Sequence, residues 1–409
     1  MWWRVGLLAF YLTGPVMVAA DVNTKLRVVA EYHHLDDNGL FAPPKDESTF
    51  SDYSSRQEID LTYNHRGIQG QALLRNQLRH GHSAENKAIL NELYWDTQVA
   101  NQDISVGKKV INWGVGFGFR PLDVIQKENR RRLYNTPQEG VAMFVWEHFG
   151  STTSSSVIIA NPHHGKENEA TEDASFTFKL YQLQDSADLH AVLRLSERHH
   201  WEAGGGISYV VGDHLTWHAS LLYQKHYQRL LNTLVKTSTG IPLASNDPLQ
   251  QVTFEDGIKA LIGSSWTSSA GWSILGEIWY DTEAYTSKHW HDLVSLTEQQ
   301  HALLNQQDIP QKAVFSNIAA SSRYFQSENL LRWNTLIRLA YDGEDMDPSL
   351  DLLYTPEDEG HVLTLNLSHQ YNRHQVDFIL RRYGGPSDAA YQLLPDTWVT
   401  LITWEWALR

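Results

Sequence analysis

Residues 362–371 read VLTLNLSHQY, and their alternation decides the fold. Leu363, Leu365 and Leu367 fall on one face of an extended chain, with Thr364, Asn366 and Ser368 on the other. Period two marks a strand, because successive side chains point to opposite sides of it. The stretch 331–341, LRWNTLIRLAY, repeats the pattern, setting Trp333, Ile337, Leu339 and Tyr341 against Arg332, Asn334 and Arg338. The closing stretch 397–409, TWVTLITWEWALR, places Trp404, Trp406 and Leu408 on alternate positions.

Working back along the chain, such segments recur at roughly even spacing, about eighteen in all, an even number as bacterial single-chain barrels have. The weakest is 348–354, around the string SLDLLYT; losing its hairpin leaves sixteen. Connections alternate between short ones, such as His65-Arg66-Gly67 and Asn372-Arg373, and long ones at 35–55, 113–139, 228–253, 283–327 and 384–396. Strands are expected at 103–112 and 328–341 among the rest. Arg75, Arg79, Arg194, Arg332, Arg338 and Arg381 fall in phase with the polar face. An Arg or Lys facing lipid at mid-bilayer costs about 2–4 kcal/mol, so so many in-phase charges imply a wet interior that they line. The expected fold is all-β: a transmembrane antiparallel β-barrel with long extracellular loops. The spacing of Leu293, Leu296, Leu303 and Leu304 adds a short helix in the longest loop.

Composition narrows the setting. Met1–Ala20 has a basic start, a short apolar stretch and small residues before a cut, as in an export signal, leaving 21–409 as one barrel domain. The 15 Trp and 18 Tyr suit interfacial girdles. A net charge of −15 argues against a nucleic-acid partner, which needs a basic footprint. With no Cys, no Gly-x-Ser-x-Gly and no His-Glu-x-x-His, no catalytic residue and no cofactor is assigned. Histidine pairs at His33/His34, His80/His82, His163/His164, His199/His200 and His289/His291 fall near the outer ends of strands. Neighbouring strand residues point to opposite faces, so the adjacent pairs within strands do not chelate as a unit, and no metal is expected.

The most distinctive segment is 106–140, VGKKVINWGVGFGFRPLDVIQKENRRRLYNTPQEG. Gly114, Gly116 and Gly118 alternate with Val115, Phe117 and Phe119, Pro121 and Asp123 follow, and a basic run carries Lys127, Arg130, Arg131 and Arg132. A loop this rich in glycine is able to fold tightly against a wall or into a lumen. Inside the barrel it would narrow the pore and set the guanidinium groups against a passing anion. Outside, the same residues would pair with Glu128, Glu139 or lipopolysaccharide phosphates.

This Trp-Gly-x-Gly-x-Gly stretch with its Pro-x-Asp resembles a segment of outer-membrane channel and export-barrel families of Gram-negative bacteria. The closing strand is similar to the C-terminal signal read by the outer-membrane insertion machinery, although it ends on Arg409 rather than an aromatic residue. The resemblance implies residence in the cell outer membrane, among lipid and lipopolysaccharide. It implies a porin-like channel for small polar or anionic solutes. An export or assembly barrel working with periplasmic partners is the alternative, and an outer-membrane enzyme a third.

Overall fold

A computed structural model describes residues 21–36, 38–42, 52–128, 132–134, 136–161, 173–236 and 240–408. The segment Met1–Ala20 lies outside the described residues, as do Arg130, Arg131, His163, His164 and Arg409. The strands are β1 (Asp21–Leu35), β2 (Tyr53–His65), β3 (Ile68–Arg79), β4 (Glu85–Val99), β5 (Gln102–Lys109) and β6 (Val141–Phe149). They continue as β7 (Thr153–Asn161), β8 (Ser175–Gln184), β9 (Ala187–Ser196), β10 (His200–Val211), β11 (Leu215–Asn232) and β12 (Leu249–Thr267). The last six are β13 (Trp272–Asp281), β14 (Trp333–Tyr341), β15 (Met346–Thr355), β16 (Gly360–Tyr371), β17 (His374–Gly384) and β18 (Asp396–Ala407).

Each strand pairs antiparallel with its sequence neighbours, and β18 returns to β1 from Lys25↔Ala407 to His34↔Trp398. The ring of 18 strands is closed. Closure leaves no sheet edge, so the strand backbone is satisfied without water. The sixteen-strand alternative falls, because Leu350 of β15 pairs with both Leu339 and Leu365.

Two faces follow from the period. Leu74, Leu180, Leu221, Ile262, Ile337, Leu363 and Ile402 are exposed and point away from the lumen. Trp95, Trp217, Trp266, Trp272 and Trp333 share that outer face. An apolar belt with aromatic residues is the surface a bilayer requires. The inward face carries the charged groups alongside buried apolar patches, and Glu58, Arg194, Lys259 and Glu277 on it are each no more than 2% exposed. Among the described residues no helix is long and apolar enough to cross a membrane; strands do the crossing. At one end of the barrel the strands join by tight turns, as at Arg66 and Gly67, whose φ angles of 50° and 80° suit a hairpin turn that follows the sheet's twist.

The other end carries the long loops. Between β13 and β14 lie α1 (Ser287–Leu303) and α2 (Gln311–Ser321). Trp290, Leu293, Leu296 and Leu303 of α1 are buried as the leucine spacing implies. They share a core with Val314 and Ile318, with Phe41, Tyr391 and Leu393 from other loops, and with Val362 and Leu353 of the wall. The helices therefore form a cap seated on one side of the barrel mouth. Two expected strand boundaries shift for this reason and a related one. The strand expected at 328–341 begins at Trp333, because Leu330 and Leu331, both fully buried, leave the wall to fill the cap's core. The strand expected at 103–112 ends at Lys109, where the chain turns into the lumen.

Candidate permeation pathway

β5 and β6 are joined by residues 110–140, and the described parts of this segment, 110–128, 132–134 and 136–140, lie inside the barrel. Its start is closed by Asp123, whose carboxylate accepts the N–H groups of Trp113 at 2.6 Å and Gly114 at 2.7 Å. Across the lumen, Glu277 of β13 accepts the N–H groups of Phe117 and Gly118, each at 2.7 Å, while facing His218 at 2.7 Å. Phe119 packs on Leu261, Trp279 and Leu336 of that wall. Gly118 is needed there: a Cβ would stand 2.9 Å from Leu336 and 3.1 Å from Trp279. Leu122, fully buried, docks into a notch in β10, where Cβ atoms on Gly204 and Gly206 would lie 2.8 and 3.1 Å from its methyl groups.

The second half of the segment crosses to the opposite wall. Leu133 and Tyr134 pack against Val29, Ile379 and Leu401 of β1, β17 and β18. Its return is pinned at a β-bulge in β4, where Gln71 pairs with Glu92 and Ala72 with Leu90. The extra residue, Asn91, turns its amide inward and donates to the carbonyls of Pro137 and Gln138 at 2.8 and 3.0 Å. Bulges re-aim a side chain in this way. Burial pushes the Tyr134 hydroxyl pKa up, keeping it neutral in the lumen.

Beside this loop is a cavity of about 560 Å³. Arg56, Arg75, Arg79, Lys87, Arg132 and Arg381 line it, against the carboxylates Glu31, Glu139 and Asp396. Arg56 pairs with Glu31 and lies 4.9 Å over the ring of Tyr134. Arg75 reaches Glu58 at 2.8 Å, Arg381 donates to the Thr364 hydroxyl at 2.9 Å, and Arg132 to that of Thr136 at 3.2 Å. Four residues expected on the solute path, Arg75, Arg79, Arg132 and Arg381, thus converge on one chamber.

The remaining expected residues are placed elsewhere. Arg194 faces inward but is fully buried between Glu202 and Asp173, the latter at 3.0 Å. Arg338 pairs with Asp351 at 2.9 Å under the ring of Phe117. Arg332 precedes β14 and borders the cap. Lys127 leaves the chamber and bonds Glu283 at 3.1 Å and Glu328 at 3.4 Å, the residues that bracket the cap; Lys259 joins Glu283 at 2.7 Å. Asp281, Glu283 and Glu328 bring oxygens within 4.8 Å of one another, a spacing open to a metal, but the ammonium groups of Lys127 and Lys259 already occupy positions among them. Burial, then Lys127 and Lys259, set the Glu283 carboxyl, with a net shift well below the usual range.

Sequence reasoning missed Arg56 and Lys87. Arg56 was legible, being in phase with Glu58 on β2. Lys87 was not, since the bulge at Asn91 reverses the facing of β4 beyond it. Among the described residues no group of histidines gathers at metal-ligand spacing: His33 lies 3.1 Å from Asp396, His80 3.0 Å from Asp52 and His291 3.0 Å from Asp388.

No family model and no curated protein matches the chain. Among solved structures it is similar to Pseudomonas aeruginosa OccK5 (OpdH), with a TM-score of 0.56 and 9% identity over 95% of this chain and 98% of that one. The outer membrane protein opdK of the same organism gives a TM-score of 0.53 at 9% identity, over 95% and 99%. At this identity what the three chains share is the fold, a closed β-barrel spanning nearly the whole length of each.

Proposed function

We propose that the chain is an outer-membrane diffusion channel of the porin type, passing small polar solutes and gathering anions in its basic chamber. The observation that carries this reading is the loop 110–140 folded across a closed, charged lumen beside an arginine-lined cavity. A loop inside the barrel narrows the path, and charge at a narrow point governs which ions pass. The reading extends to the export signal Met1–Ala20, to delivery by the insertion machinery and to lipopolysaccharide around the loops. Arg130 and Arg131 adjoin Arg132 in sequence, and the reading gives all three the same role toward anions.

Planar-bilayer recording tests this. Replacing Arg130, Arg131 and Arg132 together with Ala should raise the cation-to-anion permeability ratio while the protein still runs as a heat-modifiable barrel. An unchanged ratio in the folded variant would remove the arginines from the path. Absence of any wild-type conductance would favour the export reading, with the helical cap holding the mouth shut until a partner docks.

A further inference from the structure

Charge is sorted along the barrel axis as well as around it. The basic chamber lies on the long-loop side of the crossing loop, on the upper parts of β1–β4, β17 and β18. Toward the short-turn end the lumen-facing charges change sign. Asp60, Glu92, Asp103, Glu147, Asp188 and Asp377 come from six different strands, and each is held by neutral donors. Asp60 accepts from the Gln71 amide at 3.0 Å, Glu92 from the Val110 N–H at 2.7 Å and Asp103 from Gln98 at 2.9 Å. Glu147 accepts from Ser156 at 3.0 Å, Asp188 from the Tyr181 hydroxyl, and Asp377 from Gln375 at 2.9 Å and Thr403 at 2.6 Å. Hydrogen bonds from neutral groups fix these carboxylates in place without cancelling their charge. Of the cations at the same end, Arg27 and Lys25 pair with Glu405, Lys109 with Asp96 and Arg338 with Asp351, while Lys179 lies 5.0 Å over the ring of Trp113.

Two strands carry both signs. Arg56 and Asp60 share the inner face of β2, and Arg381 and Asp377 that of β17, four residues apart in each case. At about 3.3 Å per residue that is about 13 Å along a strand, or about 10 Å along the axis of a tilted barrel. The Debye length is about 10 Å at 0.1 M salt and about 3 Å at 1 M. At 0.1 M the zones therefore act as two fields in series, divided by the crossing loop.

We propose that the lumen is a bipolar path that rectifies ion current and passes a small zwitterion more readily than an anion or a cation of the same size. This rests on the channel reading above. When the turn-side chamber is positive, anions enter through the basic zone and cations through the acidic one, so both accumulate at the loop and current is high. With the opposite polarity each ion must first cross the zone that repels it, and the junction is depleted. A zwitterion has no net charge to be repelled by either zone, and its carboxylate is favoured above the loop and its ammonium below.

The test is current–voltage recording on channels of known orientation, with a variant carrying Asp60→Asn, Glu92→Gln, Glu147→Gln and Asp377→Asn. Each replacement keeps the accepting oxygen, and heat-modifiability checks the fold. In 0.1 M KCl the wild type should pass about twofold or more current with the turn side positive, and the asymmetry should vanish in 1 M KCl, where screening separates each charge from its neighbours. The variant should lose the asymmetry and gain anion preference. In liposome swelling, a zwitterionic amino acid should outpace a singly charged anion and cation of its size. A linear or oppositely directed response in 0.1 M KCl, a variant that still rectifies, or an anion that enters as fast as the zwitterion would overturn the bipolar path. Absence of conductance overturns both this and the channel reading, whereas linear conductance overturns this one alone.

Discussion

Two segments, one inside this barrel and one over its mouth, are held by different means. The crossing loop between β5 and β6 has no helix or strand in its described residues; Asp123 closes its start, wall groups anchor it beyond that, and glycines on both sides let it lie close. The cap between β13 and β14 builds two helices and a core of its own, with Trp290, Leu293, Val314 and Ile318 buried together. The loop's shape is thus imposed by the wall, while the cap's shape comes largely from its own apolar contacts and only its seat from the rim. In the channel proposed above, the loop would be a constriction fixed in position and the cap a cover built as a unit.

The sharpest way to break this contrast is Glu277→Ala. A hydrogen bond to a charged acceptor contributes about 1.5–3 kcal/mol, and this one side chain accepts from both Phe117 and Gly118. The variant should free the loop's middle and raise single-channel conductance several-fold, while the cap keeps its resistance to protease. Cap cleavage rising in parallel would show that the two segments are not independent. Next in size is Trp290→Ala, which removes a ring only 1% exposed. Truncating a buried Trp costs about 3–5 kcal/mol, enough to open the cap to protease and leave ion selectivity at the constriction unchanged. A shift in selectivity would mean that the cap sets the loop's position.

The smallest effect separates the two by pH. His289 completes the capping box of α1 with Thr286, and burial, then Arg229 and Arg332, depress its pKa from 6.5 to about 4. An unfolded cap takes up this proton below about 6.5, whereas the folded cap resists until about 4, so cap stability falls as pH drops through that window and is level above it. Hydrogen exchange of α1 should speed up between pH 6.5 and 4 and lose that dependence in His289→Gln, with residues 110–128 following neither change. Exchange of α1 that ignores pH would place the imidazole outside the cap's folding equilibrium.

Much of the wall was legible because period two is a local property: Leu363, Leu365 and Leu367 announce their face without reference to anything distant. The helix α1 was legible by the same logic at period 3.6. What was not legible depends on partners far away in sequence. Nothing near Leu330 and Leu331 says that they will desert a strand for a core shared with Phe41 and Tyr391. The loop's entry into the lumen was readable as a possibility from its glycines. Its path was not, since Glu277 and the glycine notch in β10 sit more than sixty residues beyond the loop's end.

The bulge at Asn91 makes β4 two strands with opposite parity joined end to end. Below it Glu92 and Tyr94 look inward, and above it Lys87 and Ile89 do, which a perfect alternation forbids. Removing that single residue would therefore not shorten the strand harmlessly. It would restore a regular ladder and rotate Lys87 out of the chamber into lipid, at a cost that grows with its depth in the bilayer. The same deletion would take away the amide that holds Pro137 and Gln138. A length change of one residue, on the wall rather than in the loop, is thus the edit to which the pore's basic charge and its constriction are jointly exposed.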